Sequence, residues 1–310
     1  MNKATKISLK SLLVITEIFV ISFIVLTIVF FLMSLMPGSN SLTSGLDPEH
    51  KAIIEHKYGY DKSVGFRFLL YIKNIFHGDF GISTSILPNN EISVFIWKRI
   101  GTSMSIGIVA LILSYAIGFP LGLYVGQRQG KPIDTAASIF TAIFISIPSI
   151  VFSLVLLIIG RAIGMPYIFD KSNLATYTLP LLAIVITGIA GVMKFTRLQV
   201  VNEMNTQYAR LAKVKGVSRR RFIWMHAIKP ASFLVVSNLP SAFLGTIFGS
   251  MFIEVIFQIP GTGAMLFTAI SAKDINVIMF VVIMLTFITV VSFRLRDVIY
   301  VMLDPRMRGA

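Results

Sequence analysis

The chain contains no cysteine. That excludes disulfides, thiolate metal sites and thiol nucleophiles. It is also poor in charge, with Asp, Glu, Lys and Arg making up 14% of 310 residues. A soluble chain carries about 25%. Acid is the scarcer sign, 14 residues against 28 Lys and Arg, for a net charge of +14. No Gly-x-x-x-x-Gly-Lys-Ser/Thr phosphate loop occurs. The nearest stretch, Gly126-Gln-Arg-Gln-Gly-Lys131-Pro132, has the wrong glycine spacing and a proline where a hydroxyl is needed. ATP hydrolysis is therefore not expected of this chain. His50, His56, His77 and His226 are scattered, and the first two do not share a helix face. They point to solvated surface roles and not to a metal site. No nucleophile–base pair stands out.

What the chain has in abundance is apolar sequence, 55% of residues, with a mean hydropathy of +0.81. Six runs reach the ~20 apolar residues that cross a bilayer. They lie at about 11–36, 102–125, 136–160, 177–200, 233–256 and 277–299. The expected fold is an all-α integral membrane protein with six transmembrane helices. The first run follows Lys3, Lys6 and Lys10, as a signal peptide does, but it is too long and has no clear cleavage site. A retained helix is expected.

Six spans put both termini on one side. The segments sharing that side are the N-terminus, the loop near Arg128, residues 194–231 and the C-terminal tail, and they carry +14 together. The opposite segments, 37–100, 161–175 and 257–276, carry +2. The positive-inside rule places the first set in the cytoplasm. The chain divides into 1–36 (N-terminus and first helix), 37–100 (extracytoplasmic) and 101–310 (a five-helix core with a cytoplasmic loop at 202–232). Met36-Pro-Gly38 ends the first helix, and Asp47 with Pro48 opens a short one over 47–57. Residues 63–76 are expected to be helical, within a small ordered subdomain.

Two spans carry stripes. Ala110, Ser114, Gly118, Gly122 and Gly126 recur every four residues and form a small-residue face suited to close helix packing. Pro120 is expected to kink that helix. In the fifth span Ser237, Ser241, Gly245 and Gly249 lie beside Asn238, Ala242, Thr246, Ser250 and Glu254, a broad, small and polar face. One reading is tight packing with hydroxyls bonded to backbone. The other is a water-accessible path, for which Asn238, Ser241, Gly245, Thr246 and Ser250 are the candidates, because lipid tolerates neither Asn238 nor Glu254. Carboxylates are otherwise scarce inside the spans, unlike in proton- or sodium-coupled carriers.

Between the fourth and fifth spans, Tyr208 to Pro230 holds seven Lys and Arg and no acid. Residues 206–215 suit a helix that Gly216 stops, and Ser218 can cap a second helix from Arg219. Arg219, Arg220 and Arg221 then occupy its first turn, where the macrodipole disfavours cations by ~0.3–1 kcal/mol each. Anionic headgroups could compensate, and the charges also enforce topology. A cytoplasmic partner could compensate instead, with Phe222, Ile223, Trp224 and Met225 filling its groove.

This stretch resembles the coupling loop of bacterial ABC importer permeases, most closely the first permease subunit of the dipeptide/oligopeptide/nickel branch. The general pattern is Glu-Ala-Ala, three residues, Gly; here Arg210-Leu211-Ala212 precedes Gly216. The peptide branch has an Arg-Thr-Ala-like sequence after a Tyr, which Tyr208, Arg210, Ala212 and Gly216 fit. The family's Asn further on is replaced by Lys229-Pro230. Tyr58-Gly-Tyr-Asp-Lys62, Gly78-Asp-Phe-Gly-Ile-Ser83, Gly118-Phe-Pro-Leu-Gly122, Glu254 to Gly263, Ala269-Ile270, Asp274 and Leu303-Asp-Pro-Arg306 extend the resemblance along nearly the whole chain.

The resemblance implies the type I importer permease fold in a bacterial plasma membrane, multi-pass, with no cofactor on this chain. It implies a homologous second permease, two cytoplasmic ATPases carrying ATP and Mg, and an extracytoplasmic binding protein, besides membrane lipid; no nucleic acid is implied. Coupling would fall to Tyr208, Arg210, Ala212, Gly216, Arg220 and Trp224. Glu254, Pro260, Gly261 and Gly263 would form the external loop, where glycines supply positive φ and a tight fold can cap the path; an ordinary turn is the other reading. Peptide is the expected cargo; nickel or a metal–chelator complex is the alternative, ahead of a secondary carrier or a membrane scaffold.

Overall fold

The computed structural model describes residues 3–35, 53, 56–59, 62–88, 90–248 and 250–303. The expected cap at Asp47 and Pro48, the stop at Pro37, Gly249 and the Asp304-Pro-Arg306 ending lie outside the described residues. Within them the chain is helical, with a single isolated bridge between Ile82 and Glu91 and no strand. In lipid a backbone must bond within its own segment, so long apolar runs fold as helices.

Five helical runs are long and apolar enough to span a membrane, and a sixth span is a bent pair. Helix α1 is Lys3–Ser34, and the shorter α2 is Val64–Phe76. Helix α3, Ile92–Gly126, begins ten residues before the apolar run read from sequence and continues unbroken through Pro120. At about 1.5 Å per residue its 35 residues exceed a ~30 Å hydrocarbon core. The third span is not straight. Helices α4 (Pro132–Ser146) and α5 (Ser149–Ala162) meet at 100°. Pro148 forces the residue before it out of the helical region, and Ile147 is extended at ψ 123°. Asn173 caps a 3-10 turn, Leu174–Tyr177, that leads into α6, Thr178–Met204.

The fifth span also differs from the uniform helix expected over 233–256. After α7 (Gln207–Val214) a helical run extends from Arg219 to Gly245. It comprises α8 (Arg219–Phe222), a π-helical turn (Ile223–Ala227), α9 (Ile228–Ser237) and α10 (Leu239–Gly245). Pro230 has no N–H for the carbonyl of His226 and would crowd it, which a widened turn relieves. Pro240 accompanies the irregularity at Asn238. Ser250 is extended, and α11 (Met251–Ile256) follows as a separate short helix. Helix α12 is Thr262–Ser271 and α13 is Ile275–Leu303. Gly261 sits at φ −101° before α12 and Gly263 lies inside it, so neither supplies the positive φ expected of them. Gln258, at φ 54°, does so nearby.

The helices group into two compact units. One holds residues 1–102 and 260–291, and the other holds 103–259 with 292–310. In the first, the stretch after α2 is fixed by Asp274, which is fully buried. Its Oδ2 accepts from the Ser83 hydroxyl at 2.6 Å and from the backbone N–H groups of Thr84, Ser85 and Ile86 at 3.0, 3.0 and 3.3 Å. Asn276 donates to the Ile82 carbonyl at 2.9 Å. On the same stretch Asp79 pairs with Lys57 at 3.2 Å and accepts from the Tyr58 hydroxyl. The hydrogen bond with Tyr58, then that with Asp79, raises the Lys57 pKa above its usual value, and burial raises that of Tyr58.

In the second unit the small-residue face of α3 packs on α6. A Cβ added at Gly122 would lie 2.4 Å from the Thr196 Cβ, and one at Gly126 2.7 Å from the Val200 Cβ. These two glycines permit an approach that no larger residue allows.

Candidate functional site

The basic stretch folds as a helical elbow. Helix α7 ends in a Schellman arrangement: Gly216, at φ +78°, donates to Lys213 O, and Val217 donates to Ala212 O, both at 3.0 Å. Ser218 accepts from the Arg221 N–H at the start of α8. Both local signals were legible from residue type alone.

The elbow's inner face packs into a core of Leu123, Val200, Ala209, Phe222, Ile223, Ala227 and Ala231, with Ala212 partly buried against it. Phe222 and Ile223 are thus interior, where the sequence reading had all four residues 222–225 facing a partner. Successive helical residues point about 100° apart, so four in a row cannot share one face. Only Trp224 and Met225 remain outside, at 56% and 61% exposed. Tyr208, Leu211 and Val214 of α7 are exposed as well. The outer face therefore alternates apolar side chains with the exposed cations Arg210, Lys213, Arg219, Arg220 and Arg221.

Among the described residues none of Arg219, Arg220 and Arg221 has an ion pair. The guanidinium groups of Arg219 and Arg221 donate to the sulfurs of Met204 and Met225. Tyr208 hydrogen-bonds to Glu203 and stacks near Phe222. Arg210, Lys213 and Arg219 border an open groove of about 570 Å³ that Asn205 and Gln129 also line. Behind the elbow, Arg197 holds Asp134 with two hydrogen bonds, 2.5 and 2.9 Å, and Asp134 also accepts from Gly130 N–H. These partners are 63 residues apart, and nothing in one sequence pairs them.

The same unit encloses a cavity of about 290 Å³ between α3, α6 and α10–α11. Gly245, Thr246 and Ser250 line it, together with Ser103, Ser114, Tyr115 and Glu254. Asn238 is exposed and Ser241 is partly buried with its hydroxyl unpartnered; neither lines this cavity. Glu254, only 4% exposed, accepts from the Ser103 hydroxyl at 2.6 Å. Ser103 is a lining residue the sequence reading did not single out, since its partner is 151 residues away. The walls are mostly aliphatic, with the Ser103–Glu254 pair among the few polar groups. No cluster of three His, Cys, Asp or Glu suited to a metal ion occurs among the described residues.

Residues 118–309 match the family described as binding-protein-dependent transport system inner membrane component. The chain is 31% identical over 287 residues to the dipeptide transport system permease protein DppB of Lactococcus lactis subsp. cremoris, covering 92% of this chain and 94% of that one. It is 31% identical over 290 residues to the oligopeptide transport system permease protein OppB of Haemophilus influenzae, with the same coverage. The inner membrane ABC transporter permease protein YejB of Escherichia coli O157:H7 is 28% identical over 282 residues, 85% of this chain and 77% of that one.

Proposed function

This chain belongs to the binding-protein-dependent transport system inner membrane component family, and from that premise we propose that it imports dipeptides or oligopeptides as one of two homologous permease subunits. As a permease of an ABC importer it is a multi-pass membrane protein and not the ATP-hydrolysing subunit. In the proposed assembly two cytoplasmic ATPases carry ATP and Mg, and a binding protein delivers cargo from outside. Both termini and the elbow face the cytoplasm, in line with the charge asymmetry. Residues 37–100 belong to the outer side, and 101–310 form the permease core.

The observation that carries the coupling role is the elbow's outer face, where Trp224, Met225 and Leu211 lie exposed among arginines that have no ion pair among the described residues. Apolar side chains ringed by cations suit a groove with an acidic rim. Tyr208, Ala212 and Gly216 set the shape of that face, while Arg210, Arg220 and Trp224 supply its contacts. Closure of the ATPases would push the elbow, and through its core with Leu123 and Val200 the ends of α3 and α6. The cavity beside Gly245, Thr246 and Ser250 forms this chain's share of the path, to which Asn238 and Ser241 contribute in another state of the cycle. Glu254 lines the same cavity, and Pro260, Gly261 and Gly263 belong to the proposed external loop.

The test is reconstitution of the complete transporter in liposomes with labelled peptides. ATP- and binding-protein-dependent accumulation of peptide is expected. Accumulation of a nickel chelate with peptide excluded would transfer the function to metal import. Cysteines placed at 241 and 245 should react with aqueous thiol reagents in at least one nucleotide state; protection of both throughout would assign that face to packing.

A further inference from the structure

Helix α2 lies in the segment read from sequence as an extracytoplasmic subdomain, yet it packs along the body of α1. The Phe68 ring centroid is 6.1, 5.2 and 5.4 Å from those of Phe23, Phe30 and Phe31. Tyr71 lies 5.7 Å from Phe30. Further along, Ile72, Ile75 and Phe76 line an apolar groove with Phe19, Ser22 and Leu26. The track on α1 therefore runs from Phe19 to Phe31, about 18 Å of helix rise. That track falls inside Thr16–Ser34, the part of α1 apolar enough to cross a membrane. α2 thus packs against the apolar part of α1 and does not stand apart from it as a separate subdomain.

The other face of α2 is uncovered. Phe66, Leu69 and Phe76 are 52%, 66% and 70% exposed, and Lys73 lies exposed between the last two. These positions follow helical spacing. The helix holds no acid, and its cations are Arg67 and Lys73. Alongside, α1 exposes Ile24, Ile28 and Leu32. The apolar flank of α2 is continuous with that of a membrane span, and a patch of this kind is not left in water.

We propose that α2 is an interfacial membrane helix whose partner is the lipid bilayer. Phe66, Leu69 and Phe76 sit among acyl chains. Lys73 extends its stem along the apolar surface to reach phosphate headgroups. A protein groove is the less fitting occupant, because Lys73 would be buried in it between Leu69 and Phe76, whereas at a bilayer surface it reaches water and phosphate. The proposal rests on the chain being a membrane component and not on its cargo.

The test uses the complete transporter in lipid nanodiscs. The chain's lack of cysteine allows single labels at positions 66, 69 and 76, with 171, in an exposed loop, as the aqueous control. Nitroxides on α2 should show greater collision with oxygen and less with water-soluble chromium oxalate than the control does. Bimane at the same positions should lose more fluorescence to bromine-labelled acyl chains than bimane at 171. Access to chromium oxalate equal to that at 171 would overturn the proposal in favour of a solvated subdomain. Low access to both reagents without bromolipid quenching would overturn it in favour of a covering protein. Neither readout depends on transport, so peptide import can fail while this proposal stands.

Discussion

Asp274 and the arginines of the elbow are charged groups handled in opposite ways. Asp274 is buried with a hydroxyl and three backbone N–H groups directed at one oxygen. Arg219, Arg220 and Arg221 lie exposed without an ion pair among the described residues. A charge whose partners all come from its own chain holds that chain in shape. A charge concentrated where its own helix disfavours it has a partner elsewhere. The difference predicts which substitutions remove the protein and which remove only its activity.

Asp274→Ala should have the largest effect on the protein itself. It leaves a buried hydroxyl and three N–H groups without their acceptor, and a buried donor left unpaired costs about 1–3 kcal/mol. The expected result is a large fall in membrane-inserted, protease-resistant chain. Normal levels and normal protease resistance would show that the carboxylate is dispensable, and the contrast with the elbow would collapse.

Gly216→Val should show the reverse. A β-branched residue at φ +78° is strained by about 1–3 kcal/mol, enough to reshape the turn between α7 and α8. Uptake and peptide-stimulated ATP hydrolysis should be lost while the chain remains in the membrane. Retained uptake would remove the elbow from the coupling mechanism.

Trp224→Ala should weaken ATPase association by about 2 kcal/mol, as expected for an aromatic anchor, and Arg220→Ala by about 1 kcal/mol. Co-purification across a salt series would measure both. Equal ATPase recovery from wild type and variants would assign these side chains to lipid.

Lys57→Ala should have the smallest effect. The pair with Asp79 is exposed, so its loss changes stability by about 0.2–1 kcal/mol. Because the folded-state pKa of Lys57 is raised, its contribution is fully present below the unfolded value near 10.4 and is lost as pH rises through the folded value. Thermal unfolding of wild type should therefore converge on that of the variant only at strongly alkaline pH. A difference that persisted there would point to packing of the lysine stem.

The elements readable from sequence were those that depend on neighbouring residues. The apolar runs, the positive-φ stop at Gly216 and the Ser218 cap are set within a few positions. The bend at Pro148 was written in the sequence but overridden by the continuous apolar run around it. The irregular fifth span escaped because a four-residue periodicity presumes an unbroken helix, and Pro230, Pro240 and Gly245 interrupt it. Ser103 with Glu254, Asp134 with Arg197 and Ser83 with Asp274 lie far apart along the chain, and composition does not join them.

The widened turn at Ile223–Ala227 gives the elbow a separate adjustment. Each residue turns a helix by about 100°. A π turn fits one residue more into nearly the same rotation, so deleting one residue there would restore regular winding with Arg219–Arg221 and α9 both close to their present directions. The elbow can thus lose a residue at this turn while the cationic tip and the membrane segment keep their relative aim.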